Sequence, residues 1–388
     1  MLFDESQLMT VKGMQTPFYY YDMNLLEATL KAASEASQKR DFHVHYAVKA
    51  NFNDRVLQKI QSHGFGADCV SGNEILKSLE QGFPANKITF AGVGKSDKEI
   101  QIALEHDIFT FNVESVQELE VINELAALQG KVGNVALRIN PNIDAKTHKY
   151  ITTGLDENKF GIPAKDLSRA IEVLETAENL NFVGLHFHIG SQITDLNVFK
   201  NLCLKVNQWK NWFEEKGLSI KVLNVGGGLG VDYNFPDENP IVDFERYFEI
   251  FDQFLERREN QEVHFELGRA LVAQSGNLVS KTLYTKSGTQ KNFLILDVGM
   301  TELLRPALYQ AYHKIEKLEK NPVESERIKY DIVGPICESS DAFGRNVELP
   351  EVKRGDLLVI RSVGAYGEVM ASTYNLREEI RYVYSDEI

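Results

Sequence analysis

A chain of 388 residues is too long for one ordinary small domain, so two domains are the natural expectation. Its 42 basic and 56 acidic residues give a formal net charge of −14, which argues against binding to a nucleic-acid backbone. No apolar run approaches the about 18 residues of a membrane span. The amino-terminal residues lack signal-peptide features, and three widely spaced cysteines indicate free thiols in a reducing compartment. We therefore expect a cytoplasmic globular protein.

The first two thirds of the chain alternate between strand-like and helix-like segments. A short aromatic strand is predicted at residues 16–22, and Asp22 is placed to cap an amphipathic helix at 23–39. Short β-branched or apolar runs then recur, separated by stretches with apolar residues at helical spacing. They lie at residues 43–49, 66–71, 88–92, 109–113, 135–140, 182–189, 222–226 and 263–267. Eight strands alternating with helices predict an α/β fold, a (β/α)₈ TIM barrel rather than an open doubly wound sheet.

Strand patterns dominate after about residue 274. They lie at residues 276–284, 293–298, 330–337, 356–363 and 377–384, with glycine and charged turns between them. One helix-like stretch, 305–317, interrupts the series. We predict a C-terminal antiparallel β domain made of residues 275–388 together with residues 1–22, and a barrel made of residues 23–274.

Charged residues stand at the predicted carboxyl ends of barrel strands, where the reactive groups of TIM barrels lie. Lys49 ends the first strand, Asp68 lies in the second, and Glu266 lies near the end of the eighth. A strand-end lysine is most often a solvated side chain, because a nucleophilic role at neutral pH requires burial or a neighbouring cation. Glu266 needs a partner if it is buried, and either Arg269 or a protonated pyridine nitrogen would serve.

Two histidines lie at the end of the sixth strand, and three glycines lie at the end of the seventh. His186 and His188 share one face of a strand, but no third ligand at a supporting spacing favours zinc, so we predict no metal site. Core hydrogen bonding and stacking on an aromatic cofactor both remain open for them. The run Gly226, Gly227 and Gly228 offers backbone N–H groups unobstructed by Cβ atoms, which suits a phosphate, although a flexible hinge is an alternative.

Two nucleotide-binding fingerprints are incomplete. Residues 92–96 (GVGKS) end like a P-loop, but Thr89 stands where the first glycine of that motif belongs. The triple glycine fails the dinucleotide pattern because position 231 is Val231. We therefore expect no nucleotide at either place.

The predicted β domain carries further binding candidates. Residues 334–341 (GPICESSD) bring Cys337 and two carboxylates into one loop, with a buried inert cysteine as the alternative. Arg305 and Tyr309 combine a forked donor with a phenol and suit a carboxylate. Tyr366, between two glycines, offers a phenol to a phosphate.

Four segments together resemble the group IV pyridoxal-phosphate-dependent decarboxylases, which have the alanine-racemase-like fold. The segments are residues 46–51 (YAVKAN), 186–191 (HFHIGS), 226–228 (GGG) and 337–339 (CES). The diaminopimelate decarboxylases are the most similar members, and the resemblance extends from about residue 16 to residue 374. One departure is Leu267, where proline is common in the family.

The resemblance implies pyridoxal 5'-phosphate as the cofactor, bound covalently by Lys49. His188 would stack on the cofactor ring, and Glu266 would pair with its pyridine nitrogen. The residues implied for the phosphate are Ser191, Gly226, Gly227, Gly228, Gly268, Arg269 and Tyr366. Cys337 would be the proton donor and would reach the active site of the other subunit of a homodimer.

The resemblance also implies the substrate. An acidic partner for the pyridine nitrogen favours a decarboxylase, since racemases of this fold have arginine there. Related ornithine decarboxylases have aspartate directly after the cysteine, whereas Glu338 and Ser339 follow it here. The residues expected to bind substrate are Arg269, Arg305, Tyr309, Glu338, Ser339 and Tyr366. The implied reaction is decarboxylation of meso-2,6-diaminopimelate to L-lysine. A carboxynorspermidine, ornithine or arginine decarboxylase and a catalytically silent regulatory homologue remain alternatives.

Overall fold

The computed structural model describes residues 2–143, 159–319 and 326–388, and the chain divides by its internal contacts into two compact units. The first unit, called the barrel unit below, contains Leu30–Gly230 and Asp243–Leu271. The second, called the β unit, contains Met1–Thr29, Val231–Val242 and Val272–Ile388. The segment Val231–Val242 belongs to the β unit although barrel strands precede and follow it in the chain.

The barrel unit is built around a closed barrel of parallel strands. Strand β1 (Phe18–Tyr21) precedes them and belongs to the β unit. The barrel strands are β2 (Phe42–Ala47), β3 (Gly66–Cys69), β4 (Ile88–Phe90), β5 (Thr110–Val113), β6 (Gly133–Arg138), β7 (Leu180–His186), β8 (Val222–Asn224) and β9 (Glu262–Leu267). Each strand pairs with the next along the chain, and β9 pairs with β2 to close the barrel. The predicted TIM barrel is therefore confirmed.

Helices alternate with these strands, after a first helix that the sequence analysis did not predict. The helices are α1 (Glu5–Gly13), α2 (Met23–Gln38), α3 (Asp54–Ser62), α4 (Gly72–Glu80), α5 (Asp97–Glu105), α6 (Val116–Gln129), α7 (Leu167–Thr176), α8 (Asn197–Glu215), α9 (Phe244–Phe254) and the short α10 (Arg269–Val272). Side-chain oxygens cap several of them, as when Ser115 Oγ accepts a hydrogen bond from the Glu118 amide at 3.1 Å. No helix in these described ranges has the length and apolar character needed to cross a bilayer.

Alternation along β9 determines which side chains enter the barrel. Phe265 packs edge-on against Phe248 and Phe251 of α9, with ring centroids 4.9 and 4.8 Å away. Because successive strand residues point to opposite faces, Glu262, His264 and Glu266 point inward. One strand thus brings polar residues to both ends of the barrel interior.

The β unit is a mostly antiparallel sheet in the order β12-β15-β10-β11-β13-β14. Strand β1 joins it by pairing with β10, and β16 pairs in turn with β1. Its later strands are β10 (Gly276–Ser287), β11 (Asn292–Leu296), β12 (Ile315–Lys317), β13 (Arg327–Val333), β14 (Ala342–Pro350), β15 (Leu357–Ile360) and β16 (Arg381–Tyr384). The β-rich architecture was predicted correctly, and the early strand β1 lies in this sheet. Two pairs, β11 with β13 and β1 with β16, are parallel, which the sequence did not indicate.

The predicted helix at 305–317 was wrong in its second half. Helix α11 (Arg305–Tyr309) is followed by Gln310, whose φ of 54° lies in the left-handed region and ends the helix. Ile315, buried at one end of β12, then pairs with Ile360. Strand β14 was missed because exposed polar residues interrupt it and its pairing with β13 shifts register twice.

Candidate active site

The carboxylate of Glu266 is buried inside the barrel and fixed by side chains from three other strands. Oε1 accepts hydrogen bonds from Asn112 Nδ2 at 2.9 Å and from Asn224 Nδ2 at 2.8 Å, and Oε2 lies 2.9 Å from His186 Nε2. Burial alone would raise the pKa of Glu266. The charge and hydrogen bond of His186, together with the charge of Lys49, bring this pKa below its ordinary 4.5 instead. Glu266 is therefore an ionised carboxylate in a buried site.

Lys49 and Asp68 lie at the same end of the barrel. Lys49 is in a short 3₁₀ turn, Val48–Ala50, directly after β2, and its Nζ is 3.9 Å from Asp68 Oδ2. Asp68 is 1% exposed, and its Oδ1 has no hydrogen-bond partner within the described part of the chain. Burial and the charge of Glu266 raise the pKa of Asp68 well above its ordinary 3.8, although Lys49 opposes this. The site therefore holds two buried carboxyl groups whose pKa values are shifted in opposite directions.

The triple glycine after β8 is packed against two neighbouring strand ends. A Cβ at Gly226 would collide with the carbonyl oxygen of Phe187, and one at Gly227 would collide with that of Glu266. Gly228 has a φ of +107°, which side chains rarely adopt. Any side chain at Gly226 or Gly227 would displace backbone, so this turn is a fixed, close-packed cradle and not the flexible hinge.

His188 lies two residues beyond the end of β7 and beside this turn. The amide of Gly227 donates a hydrogen bond to His188 Nδ1 at 3.3 Å, which leaves the proton of a neutral ring on Nε2. Burial lowers the pKa of His188 well below 6.5, and the charges of Arg138 and Lys49 lower it further. His188 is thus an uncharged ring held by the glycine turn.

Arg269 and Ser191 add donors at the same end of the barrel. Arg269, 5% exposed, donates from Nε and a terminal nitrogen to Ser191 Oγ at 3.3 and 3.1 Å. Gly268 precedes it, and a Cβ there would approach those of Ala50 and Ala47 to 3.0 and 3.1 Å. The guanidinium is therefore buried and hydrogen-bonded to a hydroxyl, and the residue before it packs closely against the end of β2.

The P-loop-like segment has a structural role. Lys95, whose side chain is 1% exposed, donates to the carbonyl oxygens of Gly92 and Asn112 at 2.8 and 2.9 Å and to Glu118 at 2.6 Å. With these partners, Lys95 links the ends of β4 and β5 and has a structural role.

The β unit contains the other predicted residues. Cys337, Glu338 and Ser339 are exposed on one loop, and Glu338 Oε1 accepts a hydrogen bond from Tyr374 at 2.9 Å. The loop is anchored by Asp341, which accepts from the Ile336 amide at 2.7 Å. An exposed thiol excludes the buried inert cysteine considered above.

Arg305 is 6% exposed and fixed by two aromatic side chains. One of its terminal nitrogens donates to Tyr233 Oη at 3.1 Å and to His313 Nε2 at 2.9 Å. His313 Nδ1 donates in turn to the carbonyl of Arg361 at 2.9 Å, which sets the ring tautomer. Tyr309 is one helical turn after Arg305 and therefore on the same side of α11.

Tyr366 is in the tight segment between Gly364 and Gly367. Its φ of 58° is in the left-handed region, and its side chain is half-buried. Side chains at Gly364 or Gly367 would collide with the carbonyl oxygens of Val272 and Val363 respectively, so close packing holds Tyr366 in this conformation.

Comparison with known proteins agrees with this arrangement. Residues 24–273 match the family described as pyridoxal-dependent decarboxylase, pyridoxal binding domain. The diaminopimelate decarboxylase of Bacteroides thetaiotaomicron is 56% identical over 379 residues, 97% of both chains, and that of Aquifex aeolicus is 40% identical over 93% of this chain and 84% of its own. The crystal structure of the Helicobacter pylori diaminopimelate decarboxylase complexed with L-lysine is 38% identical, with a TM-score of 0.91 over 99% of this chain and 95% of that one.

The chain belongs to the diaminopimelate decarboxylase family. The resemblance noted from four short segments is thereby confirmed, as are the alanine-racemase-like fold and pyridoxal phosphate as the cofactor.

The structure brings the barrel residues predicted for this family to one end of the barrel. It also adds four that the sequence analysis missed: Asn112, Glu114, Arg138 and Asn224. Arg138 and Glu114 form a buried ion pair at 2.5 Å, and the Glu114 carboxylate also accepts from the Gly161 amide at 2.8 Å. All four lie at or just after the carboxyl end of an apolar strand. That position was the available signal.

Local features of the site fit pyridoxal phosphate. Glu266 has about four lone-pair positions and three described donors, which leaves one position for a ring N–H. The glycine turn provides a cradle that a Cβ would fill, and Arg269 with Ser191 suits a phosphate. Asp68 Oδ1 and His186 Nδ1 are buried polar atoms without partners in the described ranges, as expected beside a polar group.

Proposed function

We propose that this protein decarboxylates meso-2,6-diaminopimelate to L-lysine and carbon dioxide, the last step of lysine biosynthesis, in the cytoplasm. The observation that carries the proposal is the ionised, buried carboxylate of Glu266 near Lys49. A racemase would need a partner that leaves the pyridine nitrogen unprotonated, whereas a carboxylate holds it protonated. The named relatives, all diaminopimelate decarboxylases, support the same reaction.

Each barrel residue has a proposed task. Bound pyridoxal phosphate supplies an electron sink for the carbanion left by decarboxylation. Glu266 would accept the ring N–H and keep its proton in place, because three donors already stabilise the anion. Lys49 would hold the cofactor covalently, and His188, neutral and fixed by Gly227, would pack on the ring. Ser191, Gly226, Gly227, Gly228, Gly268, Arg269 and Tyr366 would bind the phosphate.

Residues of the β unit are proposed to select the substrate. Arg305 is a buried guanidinium in a fixed orientation, which suits bidentate binding of the distal carboxylate, with Tyr309 beside it. Glu338, Ser339 and Tyr366 of the β unit complete the proposed substrate set, together with Arg269 of the barrel unit. Cys337 is exposed and would return a proton to the carbanion.

Product analysis tests the reaction. We expect the holoenzyme to release carbon dioxide and L-lysine from meso-diaminopimelate, and much more slowly any product from ornithine, arginine or lysine. The Arg305→Lys variant should lose most diaminopimelate turnover with an unchanged cofactor spectrum, since lysine lacks the guanidinium fork. Equal rates on ornithine and diaminopimelate would refute the distal-carboxylate assignment.

The attachment point of the cofactor has a direct test. Borohydride reduction of the holoenzyme followed by peptide mapping should place the pyridoxyl group on Lys49. Lys87, at the other end of the barrel, is the internal control and should remain unlabelled. A label on any other lysine would remove Lys49 from the proposed site.

We further propose a homodimer with shared active sites, in which Cys337 and Glu338 of one chain serve the barrel of the other. Lys49→Ala and Cys337→Ala should each be nearly inactive. After mixed refolding about half of the dimers are heterodimers with one intact site of two, so roughly a quarter of wild-type activity should return. No recovery, with heterodimers verified by mass, would mean that each site is built within one chain.

A further inference from the structure

Three side chains at the amino-terminal end of the barrel form a cluster that the proposed reaction does not use. His43 on β2 and Glu262 and His264 on β9 each offer one ligand atom, and these atoms lie within 4.8 Å of one another. His43 and His264 are register partners on the paired strands, with ring centroids 4.7 Å apart. The cluster therefore spans the seam where the first and last barrel strands meet, at the end of β9 opposite to Glu266.

Hydrogen bonding fixes which atom of His264 faces the cluster. His45 Nδ1 is 3.0 Å from the carbonyl oxygen of Lys87, which can only accept, so Nδ1 carries a proton. In a neutral ring His45 Nε2 is then an acceptor, and His264 Nδ1, 2.7 Å away, must donate to it. That arrangement leaves the lone pair of a neutral His264 on Nε2.

The lone pair of His264 Nε2 points at a carboxylate. Glu262 Oε2 is 3.1 Å from this nitrogen. Two electron-rich atoms at that distance repel unless a cation lies between them, either a proton or a metal ion. Two metal-bound ligands at about 2.0–2.1 Å from a tetrahedral ion lie about 3.3 Å apart, close to the observed separation.

We propose that His43, Glu262 and His264 bind a divalent transition-metal ion, with zinc as the best match. The ion would link β2 to β9 where these strands close the barrel. Two imidazoles and one carboxylate are a donor set that zinc accepts, with water as the fourth ligand. His43 and Glu262 are exposed and can rotate onto an ion, whereas His264 is buried and fixed beside Phe109, with ring centroids 5.1 Å apart. The bond from His264 Nδ1 to His45 is the orienting contact that metal-binding histidines usually make.

The expected consequence is stability, not catalysis. A metal that binds only the folded chain stabilises it by mass action, and here it would link strands that close a loop of more than two hundred residues. In TIM barrels the amino-terminal face serves stability and the carboxyl-terminal face serves chemistry.

Equilibrium dialysis of the untagged holoenzyme against zinc tests the site. Wild type should bind one zinc ion per chain at this site, and zinc should raise its Tm by several degrees. His43→Ala and Glu262→Gln should each lose that ion and the Tm shift. His106→Ala, which removes an exposed histidine after α5, is the matched control and should keep both.

Cobalt provides a second measurement that is independent of stability. The difference spectrum between wild type and His43→Ala should show the visible ligand-field bands of four-coordinate cobalt. Because the side chains of His43 and Glu262 are exposed, we expect His43→Ala and Glu262→Gln to fold. Cofactor absorbance equal to that of wild type verifies that they do. The absence of zinc binding, or equal zinc binding in wild type, His43→Ala and Glu262→Gln, would overturn the proposal and leave Glu262 and His264 as a proton-sharing pair.

Discussion

The two ends of strand β9 hold carboxylates on the same inward face in very different ways. Glu266 is 6% exposed and receives hydrogen bonds from side chains of three other strands. The side chain of Glu262, four residues earlier, is 54% exposed and contacts His264. The first is fixed in position and charge before anything binds, whereas the second can still move. Preorganisation here depends on how many neighbouring strands contribute a donor.

The difference follows from depth in the barrel. A carboxylate deep inside loses its hydration, and only several directed donors can compensate for that loss. Asn112 and Asn224 supply two of these donors without adding charge. The negative charge of Glu266 is therefore still available to attract a ring N–H. At the rim, water replaces such donors and the same strand can carry an adaptable ligand.

Two separate variants, each with one of these carboxylates replaced by an amide, should give the largest contrast in turnover. Glu266→Gln removes the anion that would hold the ring proton, so we expect turnover to fall by about 10²–10³-fold. Glu262→Gln should leave turnover at the wild-type level, because its carboxylate lies at the opposite end of β9. Steady-state kinetics on meso-diaminopimelate, with cofactor absorbance as the loading control, measure both. Equal losses would mean that the two ends of β9 are functionally coupled.

The sequence predicted the barrel because each strand is a compact apolar run bounded by glycine or polar residues. It also placed Lys49, His188 and Glu266 at or near the ends of such runs, which is where the structure has them. It did not reveal Asn112 or Asn224, which matter because they donate hydrogen bonds to Glu266, 154 and 42 positions further along the chain. Contacts across a closed barrel are set by register, and register between distant strands leaves no local pattern.

The β unit was harder to predict for a related reason. Strand β14 has exposed polar residues and an irregular pairing with β13, so its alternation is broken. One partner of Arg305 comes from a distant segment, since Tyr233 lies 72 positions earlier, in the stretch between β8 and β9. Nothing in the local sequence around Arg305 indicates that its guanidinium is already fixed.

Removing one donor tests whether the orientation of Glu266 matters as well as its charge. Asn224 donates to Glu266 and accepts from the Gly226 amide at 2.9 Å, so it joins the carboxylate to the glycine turn. We expect Asn224→Leu to lower turnover by about 10–100-fold, the usual cost of losing an orienting contact. Asn207→Leu is the matched control. That buried asparagine hydrogen-bonds backbone groups at the carboxyl end of α9, both at 2.9 Å, so its loss should affect stability alone. Similar turnover in the two variants would reduce Asn224 to a packing residue.

Asp68, at the same end of the barrel as Glu266, should respond to pH in the sense opposite to Glu266. Burial keeps Asp68 protonated in the folded chain at pH values where an unfolded aspartate, with a pKa of 3.8, has lost its proton. Folding then takes up a proton, so the contribution of Asp68 to stability is present below pH 3.8 and decreases as the pH rises through the folded pKa. The pKa of Glu266 is lowered, so its contribution to stability is present above pH 4.5 and is lost as the pH falls below that value.

Urea unfolding of wild type, Asp68→Asn and Glu266→Gln at a series of pH values on both sides of 3.8 and 4.5 measures both contributions, as differences in the free energy of unfolding between wild type and each variant. With rising pH the Asp68 difference should fall and the Glu266 difference should rise. Two differences that slope the same way would mean that the barrel holds both groups in the same charge state, and the opposition between Asp68 and Glu266 would be wrong.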